Sequence, residues 1–341
     1  MDVIPSVVYN VGLLFLMMIP GFIMKKSGLS TDGLGKGISN LVLYIAQPAL
    51  IFLAYLRPYD QSVLINSVIV LLLSLIAHTV FAIVALLLFK RCPDNMRRML
   101  RFATVFSNAA FMGIPLISAI YSGTAPEATV YASIYNITFN FFLWSLGVYI
   151  CTDDRDEDGD GVTDGDVATD YHEVRAKKKS LASPTKALVH PVTLAAFLGL
   201  IFFILPIENQ LPSIITEGLG MLRGLVAPLS MVVIGLRLAD MNFRGVLRDK
   251  GMYEFLALRH ILLPLAVILI TKLLSLVGLP VNDVVRNVVI IMAAAPAASS
   301  ATMFAEKFDC DATYVSRLVT ISTVLSIATM PLMLMIAGFI G

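Results

Sequence analysis

Apolar residues in this chain fall in long unbroken runs, not in the alternating or three-to-four-spaced patterns of half-buried strands and amphipathic helices. A bilayer core of roughly 30 Å takes about 20 apolar residues as helix, so long charge-free runs predict membrane spans. Such runs cover residues 3–24, 37–56, 61–89, 102–126, 128–150, 187–207, 287–305 and 318–341. Two further spans are predicted at 218–239, interrupted by Arg223 and Arg237, and at 260–282, interrupted by Lys272. Long basic side chains near helix ends reach the interface and do not forbid a span. The expectation is an all-α membrane protein with ten transmembrane helices.

Composition points the same way. Of 341 residues 57% are hydrophobic and 14% charged, and the mean hydropathy is +0.83, against roughly 25% charged residues in a soluble domain. A net charge of +1 gives no basic surface for nucleic acid. Three widely spaced cysteines indicate neither a disulfide framework nor a zinc site, and no cofactor is predicted. Residues 151–186 differ: ten acidic residues lie between Asp153 and Glu173, followed by Lys177, Lys178 and Lys179. This solvated loop separates a first unit, 1–150, from a second, 187–341.

Lys25, Lys26, Lys36, Lys90, Arg91, Arg97, Arg98, Arg101, the loop lysines, Arg244, Arg248 and Lys250 all fall on one side of the predicted spans. Short cytoplasmic loops retain such residues. A multi-pass protein of the cell inner (plasma) membrane follows, with the acidic loop cytoplasmic and both termini extracytoplasmic. Within the loop, Asp156, Asp158, Asp160 and Asp164, with Gly161, resemble an oxygen-rich calcium loop. Val167 stands where a bidentate Glu belongs, so a plain solvated linker is the competing reading.

The halves echo each other. Pro48 precedes Pro115 by 67 residues and Pro228 precedes Pro296 by 68; the run from Ala128 to Ser133 is echoed by Ala312 to Ser316. With five spans in each half, the second half enters the membrane from the opposite side, an inverted repeat typical of secondary transporters. Pro115 lacks the N–H of a continuous helix and Gly113 makes unwinding cheap; Pro296 sits among small residues. The fourth and ninth spans are therefore expected to break at these prolines. Such breaks survive only where protein or a wet cavity supplies polar partners; Ser107, Asn108, Ser299, Ser300 and Thr302 are the candidates. New helix N-termini at membrane depth carry partial positive charge and free N–H groups, so the expected ligand is a small organic anion. Asn136 and Asn140, one turn apart, either line the same cavity or bond neighbouring helices. His78 reads as a packing histidine and as the one titratable side chain far inside, and the nearest carboxylates, Glu254 and Glu306, lie near span ends. A transporter is the leading expectation. A channel, an intramembrane enzyme and a ligand sensor are the alternatives, and no HExxH or GxSxG supports an enzyme.

Asn108-Ala-Ala-Phe-Met-Gly-Ile-Pro115 resembles the Asn-x-x-x-x-Gly-x-Pro stretch of the auxin efflux carrier family, which includes bacterial malate permease-like carriers and plant PIN-type exporters. Ala46-Gln47-Pro48, His190-Pro191, the run from Met231 through Gly235 to Ala239, Ala295-Pro296, Phe304 to Phe308 and Met330-Pro331 resemble that family's motifs in order. The resemblance implies two inverted five-helix repeats in a bile-acid-sodium-symporter-like arrangement. Spans one, two, six and seven would form a scaffold and the other six a transport domain crossing at Pro115 and Pro296. It further implies that Asn108 and neighbours on the fifth span contact an organic anion, a monocarboxylate or dicarboxylate. Elevator-type alternating access and a homodimer built through the scaffold are also implied. Asn140, where the plant members carry Gln, and the short acidic loop set this chain apart from them.

Overall fold

The computed structural model describes residues 3–31, 33–152, 188–205, 211–239, 249–308 and 310–340, all of it helix and connection apart from one isolated β-bridge. The helices are α1 (Val8–Lys26), α2 (Leu34–Tyr55), α3 (Gln61–Leu87), α4 (Asp94–Val105), α5 (Ala109–Tyr121), α6 (Ala128–Cys151), α7 (Pro191–Ile204), α8 (Ser213–Ala239), α9 (Lys250–Leu276), α10 (Asp283–Ala294), α11 (Ser300–Lys307) and α12 (Ala312–Ile340). Among the described residues seven of these, α1, α2, α3, α6, α8, α9 and α12, are long and apolar enough to cross a membrane. The Asp loop 156–164 lies outside the described residues, among which no group of three or more His, Cys, Asp or Glu is placed to hold a metal ion.

Polar caps set the starts. Asp60 Oδ1 accepts from Ser62 N at α3, Asp249 Oδ1 from Gly251 N at α9 and Asn282 Oδ1 from Val285 N at α10, each answering a donor the helix cannot satisfy itself. The Asp249 cap starts α9 ten residues before the start expected at His260. The charge-free criterion fails there because it stops at Arg259, whose guanidinium is fully buried and bonded inside the protein.

Four helices contain a widened π-turn: Val42–Ala46, Ala109–Gly113, Leu143–Gly147 and Leu258–Leu262. Three of them end two residues before a proline, Pro48, Pro115 and Pro264. The wider turn gives the pyrrolidine ring room it lacks over a tight α-turn, so the proline is accommodated without a break. This corrects the expectation for Pro115: α5 runs continuously from Ala109 to Tyr121 through it. In the π register the Ala110 carbonyl awaits an N–H from residue 115, which proline does not have; the Gln47 side-chain amide donates to it instead. Gln47→Leu should therefore cost about 1–3 kcal/mol, the range for orphaning a buried acceptor. In a Pro115→Ala background the cost should shrink, because residue 115 then supplies the donor. Thermal unfolding of the two single variants and the double variant measures this coupling.

Packing joins the two halves. α1 lies along α8, where a Cβ on Gly21 would strike the Val232 carbonyl and one on Gly235 the Met18 carbonyl, so only glycine permits the approach. α2 lies against α7, with Phe52 and Phe202 rings 5.3 Å apart. α3 packs on α6 through Ser74 Oγ to Thr138 Oγ1 at 2.8 Å, and α9 packs on α12 through His260. The lengths also match: α3 and α9 are each 27 residues, α4 and α10 each 12. Both later helices start 189 residues after their counterparts (250 minus 61, 283 minus 94). By that offset Pro296 falls on Ser107, not on Pro115, which is why the two prolines behave differently.

Candidate functional site

Two helical rods are interrupted deep in the molecule, between α4 and α5 at residues 106–108 and between α10 and α11 at residues 295–299. Phe106 (ψ 115°) and Ala295 (ψ 147°) turn the chain extended. The two interruptions cross and pair as a minimal antiparallel bridge at Ser107 and Ala297. Asn108 N donates to Pro296 O at 2.6 Å and Ala298 N to Phe106 O at 2.8 Å. Ala297 N donates to Ser322 Oγ at 2.9 Å, and the same hydroxyl lies 2.9 Å from His260 Nε2. Several of the backbone groups freed by each break are thus answered by the other break or by α12, as a low-dielectric interior requires.

The carbonyl ends of α4 and α10 converge on one cation. Arg259, fully buried, donates through Nη1 to Thr104 O at 3.1 Å, through Nη2 to Ala293 O and Ala295 O at 2.7 Å each, and through Nε to Ala295 O at 3.1 Å. Its guanidinium also lies 5.8 Å from the centre of the Phe81 ring. No carboxylate pairs with it among the described residues. Each helix C-terminus carries about half a negative charge, so two of them offset roughly one guanidinium.

The opposite ends of the breaks meet a cavity of about 160 Å³. The residues that lead into α5 (Asn108, Ala110, Phe111) and into α11 (Ala298, Ser299, Ser300) line it, with Gln47 from α2 and Asn136, Asn140 and Trp144 from α6. Asn40, Tyr44 and His190 form another part of its wall. Its polar atoms are under-used: Ser107 Oγ, Asn108 Nδ2, Asn140 Nδ2, Asn136 Oδ1, Ser300 Oγ and Gln47 Oε1 are buried and have no protein partner. With the first-turn N–H groups of α5 and α11, this wall presents mostly donors and about one unit of positive dipole charge. Arg237 Nη1, donating to Ser299 O at 2.7 Å, adds a cation behind this wall, and the arrangement suits a carboxylate.

Of the residues singled out from sequence, Ser107, Asn108, Asn136, Asn140, Ser299 and Ser300 come together around this cavity. Gly113, Pro115 and Pro296 do not line it. Gly113 is needed for close packing, since a Cβ there would meet Met292 Sδ at 2.6 Å; Pro115 faces a different cavity; Pro296 contributes its carbonyl to the bridge. His78 is a packing residue, with Nδ1 2.8 Å from Ser74 O and its ring stacked on Phe142. It is not the one deep titratable group, because Arg259 and His260 are buried as well. Sequence pattern does not reveal Arg259, because a charge next to the start of an apolar run reads as a boundary. Gln47 offered a signal, an amide beside a proline in the middle of an apolar run.

Sequence comparisons point to membrane transport. The family described as "Membrane transport protein" matches residues 6–334. An uncharacterized transporter of Methanothermobacter thermautotrophicus is 25% identical over 319 residues, covering 93% of this chain and 94% of that protein. An uncharacterized transporter of Methanocaldococcus jannaschii is 21% identical over 324 residues, covering 94% and 95%.

Proposed function

Because the chain belongs to the membrane transport protein family, the auxin-efflux-carrier-like group, we propose that it is a secondary carrier for a small organic anion, held where the two broken rods cross. The observation carrying this reading is the cavity whose walls join two helix N-termini and unpartnered amide and hydroxyl groups with no carboxylate among its lining residues. Charge accounting favours an anion: Arg259 answers the two helix C-termini, and the two N-termini remain for cargo, with Arg237 Nη1 donating to Ser299 O at 2.7 Å beside them. Ten spans in two inverted five-helix repeats, of the bile-acid-sodium-symporter kind, are supported by the equal lengths and common offset of α3–α4 and α9–α10. The exchange of partners between halves, α1 with α8 and α2 with α7, fits a pseudo-two-fold axis.

In this reading α1, α2, α7 and α8 form a scaffold, shared by two copies in a homodimer, and the remaining helices carry the cargo elevator-fashion across a plasma membrane. Both termini are extracytoplasmic. The test is uptake of radiolabelled benzoate and malate into proteoliposomes. Saturable uptake of at least one of them at carrier rates is the expected result; unsaturable flux far above carrier rates means a channel, and no flux of either ends the proposal.

A further inference from the structure

A second polar space lies on the other side of the boundary between α2 and α8 on one hand and α5 and α6 on the other. Two cavities of about 260 and 230 Å³ share Leu50, Ser122 and Arg223. Ser118 from α5 and Gly220 and Gly224 from α8 line the first; Arg57 and Thr129 line the second. The space is open beside α8: a Cβ added to Gly220 or Gly224 would meet no atom within 4 Å. Two cations reach it. Arg57 Nη1 pairs with Glu127 Oε2 at 2.9 Å, both side chains 24% exposed, so this bridge ties the end of α2 to the start of α6. Arg223 makes no ion pair among the described residues. Arg57 thus answers Glu127 and, more distantly, the exposed Asp60, which leaves Arg223 as the cation without an ion pair among the described residues, in a recess with hydroxyl walls.

We propose that this recess is an anion-receiving vestibule, distinct from the crossover cavity, in which Arg223 and Arg57 take a small carboxylate. Glu127 is its built-in competitor: an arriving carboxylate that engages Arg57 displaces Glu127 and unties α2 from α6. The coupling to movement rests on the carrier reading, whereas binding in the recess does not, and the two fail separately in the following experiment.

Native cysteines 92, 151 and 310 are replaced by serine, and Ser122→Cys places a thiol at the end of α5, in the wall of the recess that Arg223 also lines. In reconstituted vesicles its modification by an anionic thiosulfonate is compared with that by a cationic one of similar size. Focused positive potential should make the anionic reagent faster by about tenfold. Arg223→Gln should abolish that preference, Glu127→Gln should raise it by freeing Arg57, and millimolar benzoate should slow the anionic reagent. Gly220→Leu should slow both reagents by filling the space. Equal rates for the two reagents, or a preference indifferent to Arg223→Gln, overturn the vestibule whether or not the vesicles transport anything. Charge preference without carboxylate uptake would instead leave the vestibule standing and remove the carrier reading.

Discussion

Arg259→Met should be the most damaging single substitution in the molecule, lowering unfolding free energy by about 3–5 kcal/mol, the range for removing one member of a buried charged network. The side chain donates to carbonyls of both interrupted rods at once. Methionine fills much of the volume but leaves three carbonyl oxygens without a donor and two helix C-termini without a counter-charge. Arg259→Lys restores the charge but not the planar fork that reaches Thr104, Ala293 and Ala295 together, so it should recover part of the loss. Arg223→Met, a basic residue at an exposed position, should change stability by less than about 0.5 kcal/mol. Thermal unfolding of the detergent-solubilised variants orders the three; an Arg259→Met protein as stable as wild type would mean that the guanidinium does not brace the crossing.

That arginine also shows where reading the chain alone stops working. Apolar runs identify helices well because lipid imposes a length and forbids charge. The same rule misplaces the start of α9, since it treats Arg259 as a border when the fold provides three carbonyls to receive it. Pro296 marks an interruption and Pro115 does not, although both sit in apolar runs. The difference is made by the π-turn at Ala109–Gly113 and by Gln47 from another helix, neither of which local sequence displays. The polar residues were easier. Ser107, Asn108, Asn136, Asn140, Ser299 and Ser300 stood out because amides and hydroxyls deep in a span need partners, and the fold gathers them around one space. Tyr44 and His190 were hidden, since only the packing of α2 against α7 brings them to that wall.

The second large effect is expected on transport. Asn108→Ala removes a buried Nδ2 that has no protein partner and stands at the start of α5, facing the cavity. A hydrogen bond to a charged group contributes about 1.5–3 kcal/mol, so the half-saturating concentration of a carboxylate should rise about 10- to 100-fold. Asn140→Ala, on the facing wall, should act in the same direction. Asn66→Ala, whose amide bonds Tyr131 outside the cavity, should leave half-saturation unchanged. The split between half-saturation and maximal rate, measured in proteoliposomes, separates lost recognition from damaged folding, which would lower the amount of active protein in all variants alike.

Covalent capture tests most directly whether a carboxylate occupies the crossing of the two interrupted rods. Photolysis of the purified protein with 4-azidobenzoate, followed by peptide mapping, should place adducts on the start of α5, on α6 near Asn136 to Trp144 and on α11 near Ser300 to Met303. Excess benzoate should suppress them. Adducts confined to other segments, or insensitive to benzoate, would contradict the account.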